Sequence, residues 1–393
     1  MSQPTAYSIV GGHVILPDGL ATKCVNVKDG RIESLTDTPA YAARTDASRL
    51  YVSPGFVDIH VHGGGGADTM DATPEALRTL CRFHALGGTT SLLATTASSS
   101  MEALLRALAC AREMVGTDTD GAEILGVHCE GPYFARRMRG CHLPEFVRDP
   151  DPREYDEMLE SGVIRTMTLA PELPGALDLI RRLRQAGVVA CAGHSLATYE
   201  EVMLAVEAGL AHVTHIYSAM SSVRKHGPYR VAGLLEAALV CDRLTAEMIS
   251  DGLHLPPPLM KLVLRAKGIE RICLVTDAMR GAGMPDGEYA FGPSDGQLGR
   301  VAEGESVAVM PDRSGFASSA STSLRCVRKA LASSGLPVHE AVALMSLNPA
   351  RIIGVADRKG SLEPGKDADI LLLDQELRLE AVIVRGQAVH PDW

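Results

Sequence analysis

Three observations predict an α/β protein built as a (β/α)8 TIM-type barrel, with a small β-sandwich domain formed by both chain termini. Eight short apolar segments alternate with helical stretches, ligand-type polar residues gather at the ends of those segments, and both chain ends are rich in β-branched runs. The expected division is residues 1–53 plus 357–393 for the small domain and 54–356 for the barrel.

The opening runs, YSIVGGHVILPDG and KCVNVKDGRIESL, are punctuated by the turn signals Asp18-Gly19 and Asp29-Gly30. The C-terminus repeats the style in ADILLLD and RLEAVIVRGQAV. The two ends are expected to meet in one small antiparallel unit, because two separate flaps of a few strands would be hard to stabilise. Between them, in order, stand FVDIHVH, TTSLLATT, EILGVHCEG, IRTMTLAPE, VVACAGHS, HVTHIYSA, LTAEMISDG and RICLVTDA. Helical stretches separate most of them, for instance PEALRTLCRFHALG and LDLIRRLRQAG. In the second, Leu177, Ile180 and Leu183 recur every three residues, as an amphipathic helix requires, and Gly187 closes it. Strands alternating with helices imply a parallel sheet. An open doubly wound sheet is the competing architecture, and the placement of the polar residues favours the barrel.

The composition narrows the function classes. A net charge of -10 argues against a nucleic-acid surface or a polybasic membrane anchor. No run approaches the roughly 20 apolar residues that cross a bilayer. The start lacks a charged region followed by an apolar one, so no signal peptide is expected. The nine cysteines are scattered singly inside apolar runs with no CxxC pair, which suits free thiols and a cytoplasmic location.

Strand ends carry the chemistry. His60 and His62 close the first segment, two apart and therefore on one face of a strand. They could equally be hydrogen-bonded core histidines ahead of a flexible turn of four glycines. The third segment ends in His128 and Glu130, the fifth in His194, the sixth in His215, the seventh in Asp251 and His254, and the eighth in Asp277. Six of eight strands ending in a ligand-type residue points to a metal site. Imidazole plus carboxylate without paired thiols suits Zn²⁺ or Fe²⁺. His128 and His212, each just before a stronger candidate, read as supporting or structural residues.

The set HxH, GVHCEGP, AGHS, VTHIYSAM, DGLHLPP and VTDAMRGAGMPDGEY resembles the amidohydrolase superfamily and, more narrowly, the N-acetylglucosamine-6-phosphate deacetylase family. The resemblance extends to the ending NPARIIG…KGSLEPGKDADILLLD. It implies metal-dependent deacetylation of an amino sugar phosphate. Glu130, His194 and His215 would be metal ligands, and His60 and His62 would allow a second metal with Glu130 bridging. Asp277 would be the proton shuttle and a ligand, and His142 the acetamide contact. Ser218 and Ala219 would line the sugar, and Arg230, with Arg224 and Lys225 nearby, would hold the phosphate. His254 would reach the phosphate of a neighbouring subunit, which implies a homodimer. One or two divalent metals per subunit, zinc or iron, are expected.

Two departures bear on substrate. Ser218 stands where the family usually has Asn, and Ser318, in GFASSAST, replaces a glycine. A related N-acyl sugar phosphate such as the galacto epimer is the alternative substrate. A cyclic amide or N-acyl amino acid, or a barrel without catalysis serving as a binding module, are the other readings. The last should lack a ligand or the aspartate, and here each position is filled.

Overall fold

The computed structural model describes residues 5–302 and 305–389. Its centre is an eight-stranded all-parallel sheet in sequence order: Phe56–Val61, Thr89–Thr96, Glu123–Glu130, Ile164–Leu169, Val189–Ala192, His212–Val213, Thr245–Ile249 and Ile272–Val275. Each predicted segment supplies one strand. Closure is made at the upper rim, where the Asp277 N–H donates to the His60 carbonyl at 2.9 Å and the His62 N–H to the Ala278 carbonyl at 2.9 Å.

The helices between strands form for local reasons. Thr73 caps Pro74–Ala85 through its side chain, with proline at the first helical position. Thr198 and Glu201 make a reciprocal capping box on Tyr199–Ala208. Ala176–Gln185 buries Ala176, Leu179, Ile180 and Leu183, and Gly187 follows at φ +71. Each helix thereby covers the outer face of the barrel with one apolar stripe.

The terminal segments form two sheets that share one core. A four-stranded sheet holds Ala6–Val10, Cys24–Lys28, Arg31–Thr36 and Arg44–Asp46. A six-stranded sheet joins His13–Leu16, Gly19–Ala21 and Tyr51–Pro54 to the C-terminal strands Ile370–Leu373, Leu379–Val384 and Gln387–Val389. Ile9, Val25 and Val27 pack there with Val52, Ile370 and Ile383. The pairing is mixed rather than antiparallel throughout: Ser8 lies parallel to Arg44, and His13 parallel to Tyr51. The hairpins between those partners return the chain in its original direction.

One unit is absent from the sequence reading. After the eighth strand, Gly287–Ala290, Leu298–Val301, Val307–Val309 and Phe316–Ser319 form an antiparallel four-stranded sheet beside the barrel mouth. Its strands are three or four residues long and broken by Gly, Asp and Pro, so no periodicity marks them.

Candidate functional site

Six buried side chains meet at the barrel mouth in two groups. His60, His62 and Asp277 form one and Glu130, His194 and His215 the other; in each, the ligand-type atoms lie within 4.8 Å of one another. The Nε2 atoms of His60 and His62 are 3.3 Å apart, and those of His194 and His215 are 3.1 Å apart. Glu130 stands between the groups. Its Oε1 is 3.1 Å from His194 Nε2 and 3.0 Å from His215 Nε2, and its Oε2 is 3.2 Å from His62 Nε2. Asp277 Oδ1 lies 3.4 Å from both His60 and His62.

Strand-to-loop turns aim these groups. His194, His215 and Asp277 have φ of +50, +27 and +48, left-handed backbone that costs a non-glycine residue about 1–2 kcal/mol each. The four glycines after His62 make a built turn rather than a slack one. Gly63 pairs with Asp68 and Gly64 with Ala67, and a Cβ on Gly63 would stand 2.4 Å from the Ala67 carbonyl oxygen and 2.7 Å from the Arg280 nitrogen.

Hydrogen bonds set the ring tautomers. His194 Nδ1 donates to the Met138 carbonyl at 2.7 Å, which leaves Nε2 as a lone pair facing Glu130. Burial pushes the His194 imidazole down to about 4, so it is neutral. His60 Nδ1 is 2.9 Å from Glu247 Oε2, and its Nε2 faces inward. The Ser98 N–H donates to His142 Nδ1 at 3.1 Å, so the proton of the neutral His142 sits on Nε2, 3.1 Å from Glu130 Oε2. Burial lowers the His142 pKa, in keeping with neutrality.

Charge balance points the same way. Burial works against the charge on Glu130, yet the facing His60 holds its carboxyl well below the usual range. Asp277 is lowered in the same manner, against burial, by His60 and His62. Against its own burial, Glu247, Asp277 and Glu130 lift His60 to about 10. Histidines are thus the partners that keep these carboxylates ionised. A divalent cation meets the same demand, and the donor set fits one: paired imidazole nitrogens converge on ionised carboxylates, and at His60 and His194 a hydrogen bond at Nδ1 frees Nε2 for coordination.

The groups open on a cavity of about 350 Å³. Of the sequence-predicted residues, His142, Ser218, Ala219 and His254 line it together with Glu130, His194, His215 and Asp277. His254, expected to act across subunits, faces the cavity of its own chain, its Nδ1 2.7 Å from Asp251 Oδ2. Arg230 is not brought to the cavity. It lies on an exposed hairpin, Arg224–His226 with Tyr229–Val231, as do Arg224 and Lys225. Ser318 donates to the Asp277 carbonyl oxygen and sits 3.3 Å from its Oδ1. His128 bonds Thr168 at 2.7 Å and His212 bonds Thr245 at 2.6 Å, outside both groups.

Sequence reasoning missed Glu247, Phe291 and Arg137. Glu247 is 2 % exposed at mid-strand, where a carboxylate inside the apolar segment LTAEMI was the available signal. Phe291 and Arg137 line the cavity from loops that no pattern connects to it.

The amidohydrolase family matches residues 51–389. The chain belongs to the amidohydrolase family. As a member, it is a metal-dependent hydrolase acting on amide bonds. N-acetylgalactosamine-6-phosphate deacetylase of Escherichia coli O157:H7 is 34% identical to this amidohydrolase over 365 residues, 92% of this chain and 93% of that one. N-acetylglucosamine-6-phosphate deacetylase of Vibrio furnissii is 33% identical over 386 residues, 98% of this chain and 94% of that one. A solved mutant of N-acetyl-D-glucosamine-6-phosphate deacetylase from Mycobacterium smegmatis, in complex with N-acetyl-D-glucosamine-6-phosphate, superposes with a TM-score of 0.91 at 33% identity, covering 98% of this chain and 100% of that one.

Proposed function

We propose that this amidohydrolase removes the acetyl group of N-acetylglucosamine 6-phosphate, consuming one water and releasing acetate and glucosamine 6-phosphate. The observation that carries the reading is the pair of facing donor groups sharing Glu130, with Asp277 and His142 on the same cavity. His60, His62, Glu130, His194, His215 and Asp277 would hold one or two divalent cations, zinc or iron. Such a cation supplies Lewis acidity and makes a water nucleophilic near neutral pH.

The chain's own groups do the rest. Asp277, kept ionised by His60 and His62 against its burial, takes the proton of the attacking water and returns it to the departing amine. His142 offers its Nε2–H to the carbonyl oxygen as charge develops, a contribution of order 10²–10³ in rate. Ser218, Ala219 and His254 bound the sugar end of the cavity. Arg230, which lies on an exposed hairpin outside its own chain's cavity, would meet the phosphate as a bidentate fork from the partner's side if the enzyme is a homodimer.

The test compares N-acetylglucosamine 6-phosphate, its galacto epimer and the unphosphorylated sugar, with metal counted per subunit. The gluco phosphate should be the best substrate, and Arg230→Ala should raise its KM by at least about tenfold. Equal turnover of the unphosphorylated sugar would remove the phosphate role. Preference for the galacto epimer would assign that substrate; Ser218, which departs from the family's Asn, lies on the cavity wall. Full activity after exhaustive chelation would overturn the metal-dependent mechanism.

A further inference from the structure

Phe291 stands at the reacting end of the cavity. Its ring centroid is 4.6 Å from His62 and 5.2 Å from His142, edge-on to both, and it is 3 % exposed. Phe134 also packs on His142 and His194, but it does not line the cavity. The polar atoms at this end are matched by a carbonyl oxygen, a water and an amide nitrogen. The remaining piece of an N-acyl substrate is the alkyl part of the acyl group, which needs an apolar surface. Phe291 supplies it, next to the groups that must act on the neighbouring carbonyl carbon.

The aromatic wall is held rigidly. Arg280 donates from Nε to the Ala290 carbonyl at 3.3 Å and from Nη2 to the Gly292 carbonyl at 3.0 Å, bracketing Phe291 on both sides. The same guanidinium forks onto Asp71, at 2.9 and 2.7 Å, and Asp71 also accepts from the Asp68 N–H at 2.9 Å. Asp71 belongs to the turn after the first barrel strand, so two loops are locked together behind the ring. Retreat is blocked as well. Gly292 has φ +70, and a Cβ there would lie 2.7 Å from Ala97 Cβ. The Phe291 N–H is fixed to the Gln297 carbonyl at 2.9 Å.

We infer that Phe291 is the acyl-size determinant of this enzyme, a wall fixed by Arg280 and Asp71 that admits an acetyl group and rejects longer acyl chains. The inference rests on the deacetylase reading and adds the residue that sets the acyl class. Close-packed surroundings do not absorb added methylenes, and one methylene is worth about 10–200-fold in discrimination. Asp71 and Arg280 are positioning residues: they act through the placement of the ring.

The experiment measures kcat/KM for N-acetyl-, N-propionyl- and N-butyrylglucosamine 6-phosphate with wild type, Phe291→Ala and Phe291→Leu. Wild type should disfavour the butyryl compound by about 100-fold or more relative to acetyl. Phe291→Ala should raise the butyryl-to-acetyl ratio by at least about 30-fold, and Phe291→Leu, which keeps most of the apolar volume and guards against misfolding of the first variant, by at least about threefold. Asp71→Asn should raise the ratio in the wild-type background and leave it unchanged in Phe291→Ala, because its effect passes through the ring. Persistent acetyl turnover with an unaltered ratio in both Phe291 variants overturns the inference and leaves the deacetylase reading standing. A wild-type enzyme inert toward the acetyl compound overturns the reading and the inference together.

Discussion

Replacing Glu247 by Gln tests whether an unreactive carboxylate governs half of the metal site. Glu247 is 2 % exposed, with Oε2 2.9 Å from His60 Nδ1 and 3.1 Å from the His215 N–H, and Oε1 3.4 Å from His212 Nε2. Gln keeps the volume and removes the charge, and its NH2 must then face either the His60 or the His212 ring. A buried hydrogen bond to a charged group contributes about 1.5–3 kcal/mol net, and outer-sphere partners of metal-binding histidines are typically worth 10–100-fold in affinity. We expect the variant to lose about 10–100-fold in cation affinity on the His60–His62–Asp277 side. His194, anchored instead on the Met138 carbonyl, should keep its ion. Titration against a chromophoric chelator, with metal counted per subunit on folded protein, resolves the two sides. Unchanged affinity and stoichiometry would refute the role given to Glu247.

Asp277→Asn should lower kcat by about 10³ while at least the cation at Glu130, His194 and His215 is retained, which metal analysis checks beside turnover. Ser318→Gly removes the hydroxyl beside Asp277 Oδ1 and should lower kcat by about 2–10-fold with KM little changed, read from steady-state kinetics. His84 contributes a pH dependence: burial lowers it from 6.5 to about 4 while its Nε2 donates to the Gly63 carbonyl at 2.9 Å. A depressed folded pKa means this stability is complete above pH 6.5 and is lost as pH falls through 4, about 3 kcal/mol in all. Thermal melts should show a shallower acid decline over that window in His84→Asn than in wild type.

The barrel was legible because its strands are near-continuous apolar runs, six of the eight ending in a ligand-type residue that packing alone would not put there. His60, His62, Glu130, His194, His215 and Asp277 share one property visible in one dimension, position at the end of such a run, and the structure brings them together. What the sequence hid lacks that property. Glu247 lies in the middle of its strand, and its purpose emerges only when His60 and His212 arrive from other strands. Phe291 sits in the loop after the first strand of a short-stranded sheet without periodicity. Arg230 was chosen by its motif, and the exposed hairpin that carries it shows that adjacency in sequence to a strand end does not ensure a place at the same mouth.

Tyr51–Pro54 pairs on one edge with His13–Leu16 and on the other with Ile370–Leu373, and it runs directly into the first barrel strand. A chain leaving the ribosome therefore presents that second edge open until more than three hundred further residues have been made. An unpaired strand edge is a template for intermolecular association. Synthesis of this enzyme thus has a built-in interval of vulnerability, and loss of the strand Ile370–Leu373 would strike the entry to the barrel's first strand rather than its last.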